Sequence, residues 1–257
     1  MSTYRALGPE QQALDDPDAQ TSNLPVPKRA LVVAAHPDDA EFFTAGTIAK
    51  WTQHGCDATY LVLTDGAVGA WGSETGEDLA TRRADEQREA ARVAGVDNVV
   101  FGHHADGFFE NSLDVRRELA GWIRRLKPQV LLAHDPWKPY RLHPDHRAAG
   151  FATLDAVTVA REPLAYADMA EEAHRPDKIL LFETDAANHF ESIVATLDTK
   201  IEALLAHKSQ YTTTMNIDGP DDRAGVERFR DRVRAWSREA GEAIGVEYAE
   251  AFKTLTP

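Results

Sequence analysis

Five short apolar runs constrain this chain more than any other feature: ALVVAA at 30–35, ATYLVL at 58–63, NVVF at 98–101, QVLLA at 129–133 and KILLF at 178–182. They are continuous rather than alternating, which suits strands buried on both faces. Stretches of helical periodicity separate them near 41–54, 79–94, 113–126 and 145–160, and two more follow near 192–207 and 221–243. Strand–helix alternation predicts a mostly parallel sheet with right-handed crossovers, a Rossmann-like three-layer α/β/α single domain. The 257 residues accommodate one such domain at 29–257, after a polar, proline-punctuated leader at 1–28 that is expected to be flexible.

In open sheets of this kind ligands bind beyond the carboxyl ends of the strands, and chemistry-bearing residues collect there. The first run ends in His36-Pro37-Asp38-Asp39, the second in Thr64-Asp65-Gly66. The third leads to His103, His104 and Asp106; the fourth leads to His134 and Asp135, then to His143-Pro144-Asp145-His146. Pro37 disfavours helix just before it, so His36 stays extended and projects from the strand end. The side chains of Asp38 and Asp39 diverge, so one can ligate a cation beside His36 while the other points into the space above. A helix N-cap would account for one aspartate but not for His36. Pro144 suits the first helical position, which puts His146 in the first turn. With His36 and Asp39 it makes two nitrogens and one oxygen, a catalytic zinc pattern that keeps one position open. Asp145 is placed to orient a neighbouring imidazole, expected to be His143.

The charge balance narrows the partners. Forty-two acidic against 28 basic residues leave a formal net charge of −14 with no extended basic run, which argues against nucleic acid and anionic membranes. Cys56 is the only cysteine, so multi-cysteine zinc sites are excluded. Neither a secretory signal nor a span of roughly 18 to 20 apolar residues is visible. The expectation is a cytoplasmic protein with a small-molecule substrate, and self-association into a homo-oligomer stays open.

The segments AHPDDAEF, TDG (64–66), RADEQREAARVAG (83–95), HPDHRAAG (143–150) and EALLAHKSQ (202–210) follow one another in an order that resembles the PIG-L/LmbE-like family of zinc-dependent N-deacetylases. The resemblance runs from about residue 29 to about 211 and rests most on the HPDD and HPDH pair. It implies one zinc (or another divalent metal) per chain on His36, Asp39 and His146, with Asp38 as general base. It further implies that His143 assists a developing oxyanion with Asp145 as its partner, and that the substrate is an N-acylated, typically N-acetylated, amino sugar or related small amide.

Other residues are assigned to the substrate. On a helical wheel for 79–94, Arg83 falls on the inner face with Leu79, Ala84, Gln87 and Ala91, whereas Arg82 falls on the charged outer face. Glu86 is the expected ion-pair partner of Arg83; the family resemblance adds a role near the substrate. Trp137 and Tyr140, in the proline-stiffened loop before His143, suit the apolar face of a sugar ring or plain packing of the loop; some relatives carry a tyrosine two residues before the HPDH histidine, whereas Tyr140 lies three before. Asp106 completes the substrate set. His103, His104, His134 and His189 read as loop or hydrogen-bonded histidines, HKSQ (207–210) as a docking segment, and 66–78 as a mobile loop near the site. Two other classes stand beside the deacetylase: a sugar- or nucleotide-binding module without catalysis, and a metal hydrolase of another bond such as a phosphoester.

Overall fold

The computed structural model of the protein describes residues 19–70 and 75–257. All five apolar runs form strands: β2 (Arg29–Ala34), β3 (Asp57–Thr64), β4 (Asn98–His104), β5 (Val130–His134) and β6 (Lys178–Phe182). They pair in parallel in the order β6-β5-β2-β3-β4. The sheet continues past β6 with elements that sequence patterning does not reveal: β8 (Ala249–Leu255) runs antiparallel to both β6 and β7 (His189–Ser192), and the two-residue β1 (Thr21–Ser22) closes the edge. These strands are short or mixed in polarity, so the continuous-run signal of the inner strands is missing.

Of the expected leader, residues 1–18 lie outside the described residues. Residues 21–24 lie along the sheet edge, where the Thr21 and Asn23 amides donate to the Asn188 and Phe190 carbonyls and the Leu24 amide donates to Glu191; by Lys28, whose carbonyl accepts from the Asp57 amide, the chain has reached the middle of the sheet.

Among the described residues, six α-helices occupy the expected positions: α1 (Asp39–Gln53), α2 (Gly76–Val93), α3 (Leu113–Leu126), α4 (Pro144–Ala160), α5 (Leu197–Leu205) and α6 (Arg223–Glu242). Side chains of β2 alternate between the two faces. Leu31 and Val33 pack with Leu119, Ile123 and Val157 of α3 and α4, whereas Ala30, Val32 and Ala34 pack with Ile48, Trp51 and Ala91 of α1 and α2. A third cluster joins α5 and α6 through Ile201, Leu204, Phe229 and Val233, and Phe42 of α1 packs against it.

β2 is the hinge of the topology. The chain winds outward from it through β3 to β4, then returns to its other side at β5. The crevice between the carboxyl ends of β2 and β5 is therefore the switch point at which such sheets bind ligands.

The far end of α4 is fixed by one buried cation. The Arg124 guanidinium donates to the carbonyls of Ala160 (3.0 Å), at the end of the helix, and of Glu162 (2.9 Å) and Ala165 (2.7 Å), just beyond it. Arg124→Met removes these donors in a dry setting and is expected to lower the unfolding free energy by about 2–4 kcal/mol in denaturant titrations. A loss near zero would show that water reaches these carbonyls once the guanidinium is gone.

Candidate active site

β2 leads through Ala35 into His36-Pro37-Asp38, and α1 starts at Asp39. Thr64, at the end of β3, donates to the Ala35 carbonyl from both its amide and its hydroxyl, which fixes where the loop leaves the sheet. Asp38 is in the left-handed region at φ 103°, a conformation that costs a non-glycine residue about 1–3 kcal/mol and is kept only where the surroundings dictate it. Its amide donates to Gln87 Oε1 (2.9 Å); Gln87 Nε2 donates to Glu41 Oε1 (2.8 Å), and Glu41 Oε2 pairs with His207 (3.1 Å). Gln87, Glu41 and His207 are fully buried, so His207 of HKSQ takes part in the scaffold behind the HPDD turn.

His36, Asp39 and His146 converge. His36 Nδ1 lies 3.2 Å from His146 Nε2 and 3.3 Å from Asp39 Oδ2, and His146 Nε2 lies 3.4 Å from Asp39 Oδ1. All three side chains are buried, and all three line a cavity of about 750 Å³. Among the described residues, three groups bring their donors together in a way that could hold a metal ion: His36 with His143 and His146, Asp39 with His134 and His146, and His36 with Asp106 and Asp145. Each contains at least one of the three convergent residues. Burial, reinforced by a nearby charge on His134, takes His146 down to about 4, so its imidazole is neutral and able to ligate.

Neighbouring carboxylates hold these rings. His36 Nε2 lies 3.1 Å from Asp106 and 3.2 Å from Asp145, and Asp145 also accepts from the amides of Gly107 (2.7 Å) and Phe109 (3.3 Å). The expected pairing of Asp145 with His143 is thus replaced by one with His36. Asp145 points down from the first turn of α4 toward the 107–109 loop, whereas His143 precedes the helix with an extended backbone. The His143 ring instead lies edge-on to His36, at 4.5 Å between centroids, and its buried Nδ1 has no hydrogen-bond partner.

Arg83 is buried, as the helical wheel of α2 predicts, but its partner is not Glu86. The guanidinium lies 3.4 Å from Asp38 and donates to the carbonyls of Pro37 (2.5 Å) and Gly66 (3.1 Å). Glu86 accepts from the amide and hydroxyl of Ser209 instead. Gly66, at φ +66°, and Gly69 make room, since a Cβ at either position would run into the Arg83 guanidinium. Burial pushes the Asp38 carboxyl up to about 6, against the pull of Arg83. Of the loop expected over 66–78, residues 71–74 lie outside the described residues, and 76–78 already belong to α2.

The aromatic loop departs from expectation. Trp137 packs edge-on to Phe151 at 5.7 Å and lines a different hollow, and Tyr140 is 97% exposed; neither lines the cavity. Proline stiffness and aromatic content cannot tell which side of the loop a ring takes. Asp106 does line the cavity, beside His36.

Glu183 is the residue that sequence reading misses, whereas His134 is hydrogen-bonded, one of the two readings offered for it. His134, the last residue of β5, lies 3.3 Å from Asp39 through Nε2 and 3.3 Å from Glu183 through Nδ1. Glu183, one residue past β6, also contacts His146 Nδ1 (2.9 Å) and pairs with Arg141 (2.8 Å). Burial would raise the Glu183 carboxyl, but the His134 and His146 imidazoles outweigh it and take it to about 2. His134 ends a buried strand and Glu183 follows one, a positional signal available in sequence; neither belongs to a local motif.

The family described as PIG-L, GlcNAc-PI de-N-acetylase, matches residues 31–157. A diacetylchitobiose deacetylase of Thermococcus kodakarensis is 33% identical over 234 residues, covering 88% of this chain and 82% of its own. A probable N-acetyl-alpha-D-glucosaminyl L-malate deacetylase 2 of Bacillus anthracis is 31% identical, covering 72% and 83%. Among solved structures, the N,N'-diacetylchitobiose deacetylase from Pyrococcus horikoshii superposes with a TM-score of 0.81 at 31% identity, covering 90% of this chain and 84% of the other.

Removing Arg83 strands a buried carboxylate, whereas Arg82 is exposed on the same helix. Arg83→Ala is expected to lower stability by about 3 kcal/mol in unfolding titrations, and Arg82→Ala to change it little. Equal, small effects would show that Asp38 does not depend on the guanidinium.

Proposed function

This chain belongs to the PIG-L family of de-N-acetylases, and we propose that it is a zinc-dependent hydrolase that removes the acetyl group from the nitrogen of an amino-sugar conjugate in the cytoplasm. The observation that carries the reading is the spacing of His36, Asp39 and His146. Donors about 2.05 Å from a tetrahedral ion lie about 3.3 Å apart; the two imidazole nitrogens here are 3.2 Å apart, and each has one oxygen of Asp39 beside it, Oδ2 at 3.3 Å from His36 and Oδ1 at 3.4 Å from His146. Two imidazoles and one carboxylate without thiolate suit zinc, and three protein ligands leave a coordination position open.

When bound, the ion supplies Lewis acidity toward the amide carbonyl and acidifies water toward a pKa of ~7. The remaining work falls to the chain. Asp38 lines the cavity next to the ligand set and is tied to none of its imidazoles, so it is the carboxylate placed to take a proton from the attacking water. Arg83 and the Gln87–Glu41–His207 scaffold fix its orientation. His143 lines the cavity beside His36 and is the imidazole that would donate to the negative charge developing on the carbonyl oxygen. Burial and the neighbouring His36 charge lower its pKa, and a neutral imidazole can still donate. Asp145 and Asp106 orient His36, and Glu183 orients His146, as carboxylates commonly do behind metal-bound histidines. Asp38 and His143 are the two groups placed to return a proton to the departing amine.

Acetate release from N-acetylglucosamine conjugates tests the reaction, and the paired aspartates test the roles. Asp38→Asn should keep the metal and lower kcat by about 10²–10⁴-fold. Asp39→Asn should lose metal and recover part of its activity with added zinc. A reversal of these two outcomes would exchange the assignments; retention of metal and activity in both would reduce HPDD to a helix start.

A further inference from the structure

The helix that carries Asp39 is not fastened where helices usually are. Asp38 stands at the N-cap of α1 and makes no side-chain hydrogen bond to its first amides. Its carboxylate is turned to Arg83, and that of Asp39 to the rings of His36 and His146. A carboxylate at a helix start ordinarily satisfies one of those amides. Both are committed to the cavity here, so the axis of α1 has to be fixed from elsewhere.

Glu250 of β8 fixes it from the side. Its Oε1 accepts from the Gly46 amide (3.0 Å) and its Oε2 from the Thr47 amide (2.8 Å). These amides lie in the interior of α1, where donors ordinarily pair only within the helix. An anion facing amides along the axis gains the same electrostatic support as one at a helix N-terminus. The carboxylate is buried, and the equally buried Lys200 of α5 compensates it at 2.6 Å. Thr196, just before α5, donates its hydroxyl to the Gly46 carbonyl (2.7 Å), so both backbone groups of Gly46 are held by side chains from outside the helix. Glycine permits the close approach: a Cβ there would lie 2.7 Å from Ile193.

We propose that Glu250 is a positioning residue of the metal site: with Lys200 as counter-ion, it sets the place of α1 and so the place of Asp39 against His36 and His146. The inference rests on the reading of those three residues as zinc ligands. Metal–donor distances are held to within about 0.2 Å, and Asp39 is the first residue of α1, so a small rotation of the helix about Gly46 carries its carboxylate out of reach. Glu250 acts on the site only through α1, from a strand beyond the 31–157 stretch that matches the family.

The test reads the zinc Kd of the protein by chelator competition, beside its unfolding free energy in denaturant. Glu250→Gln keeps the shape but turns an N–H donor toward other donors, and is expected to raise the zinc Kd at least about tenfold, the scale on which residues behind a metal site act. Glu250→Gln combined with Lys200→Met removes the stranded ammonium, so it should regain stability without regaining zinc affinity; it gives the reading if the single variant folds poorly. Arg124→Met is the control for plain destabilisation, because Arg124 donates to carbonyls of residues 159–166 and not to α1. It is expected to keep the zinc Kd within about twofold. A wild-type zinc Kd in either folded Glu250 variant overturns the proposal. Loss of zinc by Arg124→Met as strong as theirs overturns it too, because affinity then follows stability alone. Failure of the unaltered protein to bind zinc overturns the ligand reading on which the proposal stands.

Discussion

Carboxylates and imidazoles buried side by side must be compensated, and that requirement organises the carboxyl edge of this sheet. Asp38, Asp39, Asp106, Asp145 and Glu183 are all buried or nearly so, within reach of His36, His134, His146, Arg83 or Arg141. Left uncompensated, any one of these anions would cost several kcal/mol. Asp106, Asp145 and Glu183 hold rings, and Asp38 is held by a guanidinium. That leaves Asp39 with Oδ2 against the His36 ring at 3.3 Å and Oδ1 against the His146 ring at 3.4 Å. A divalent cation at that point completes the charge balance and gives the set its chemistry.

The same economy explains which neighbours matter. Gly66 and Gly69 clear space for Arg83, Arg83 fixes Asp38, and Gln87 fixes the backbone of Asp38 in its strained form. His134 and Glu183 form a second line behind Asp39 and His146. Each link joins residues far apart in sequence, so the site depends on the topology that brings β2, β5 and β6 side by side. The C-terminal helices then supply the outer wall with Trp236, on a part of the chain that carries no family motif.

The inner strands are legible in the sequence because burial on both faces leaves nothing polar in 30–35 or 130–133; β7 and β8 are not, because HFES and AEAFKTL carry charges, of which Glu191 and Glu250 are buried against Lys50, His189 and Lys200. The phase of α2 is legible because amphipathic spacing fixes which arginine points inward, yet the partner of Arg83 is a tertiary matter, and Asp38 across the crevice displaces Glu86 on the same helix. HPDD and HPDH stand out because proline, aspartate and histidine are packed into four residues. Glu183 is a single carboxylate after an ordinary strand, and only the sheet order reveals that β6 ends beside His146. Trp137 and Tyr140 mislead for a related reason: a loop's composition does not say which wall it faces, and here the aromatic rings of the cleft come from α1 and α6.

The central claim is that His36, Asp39 and His146 are arranged for one tetrahedral ion, and the X-ray absorption spectrum at the zinc edge of the zinc-loaded protein addresses it most directly. The account predicts a first shell of nitrogen and oxygen at about 2.0–2.1 Å, with the outer-shell scattering of two imidazoles and no sulfur. A shell with three or more imidazoles, or with none, would contradict it.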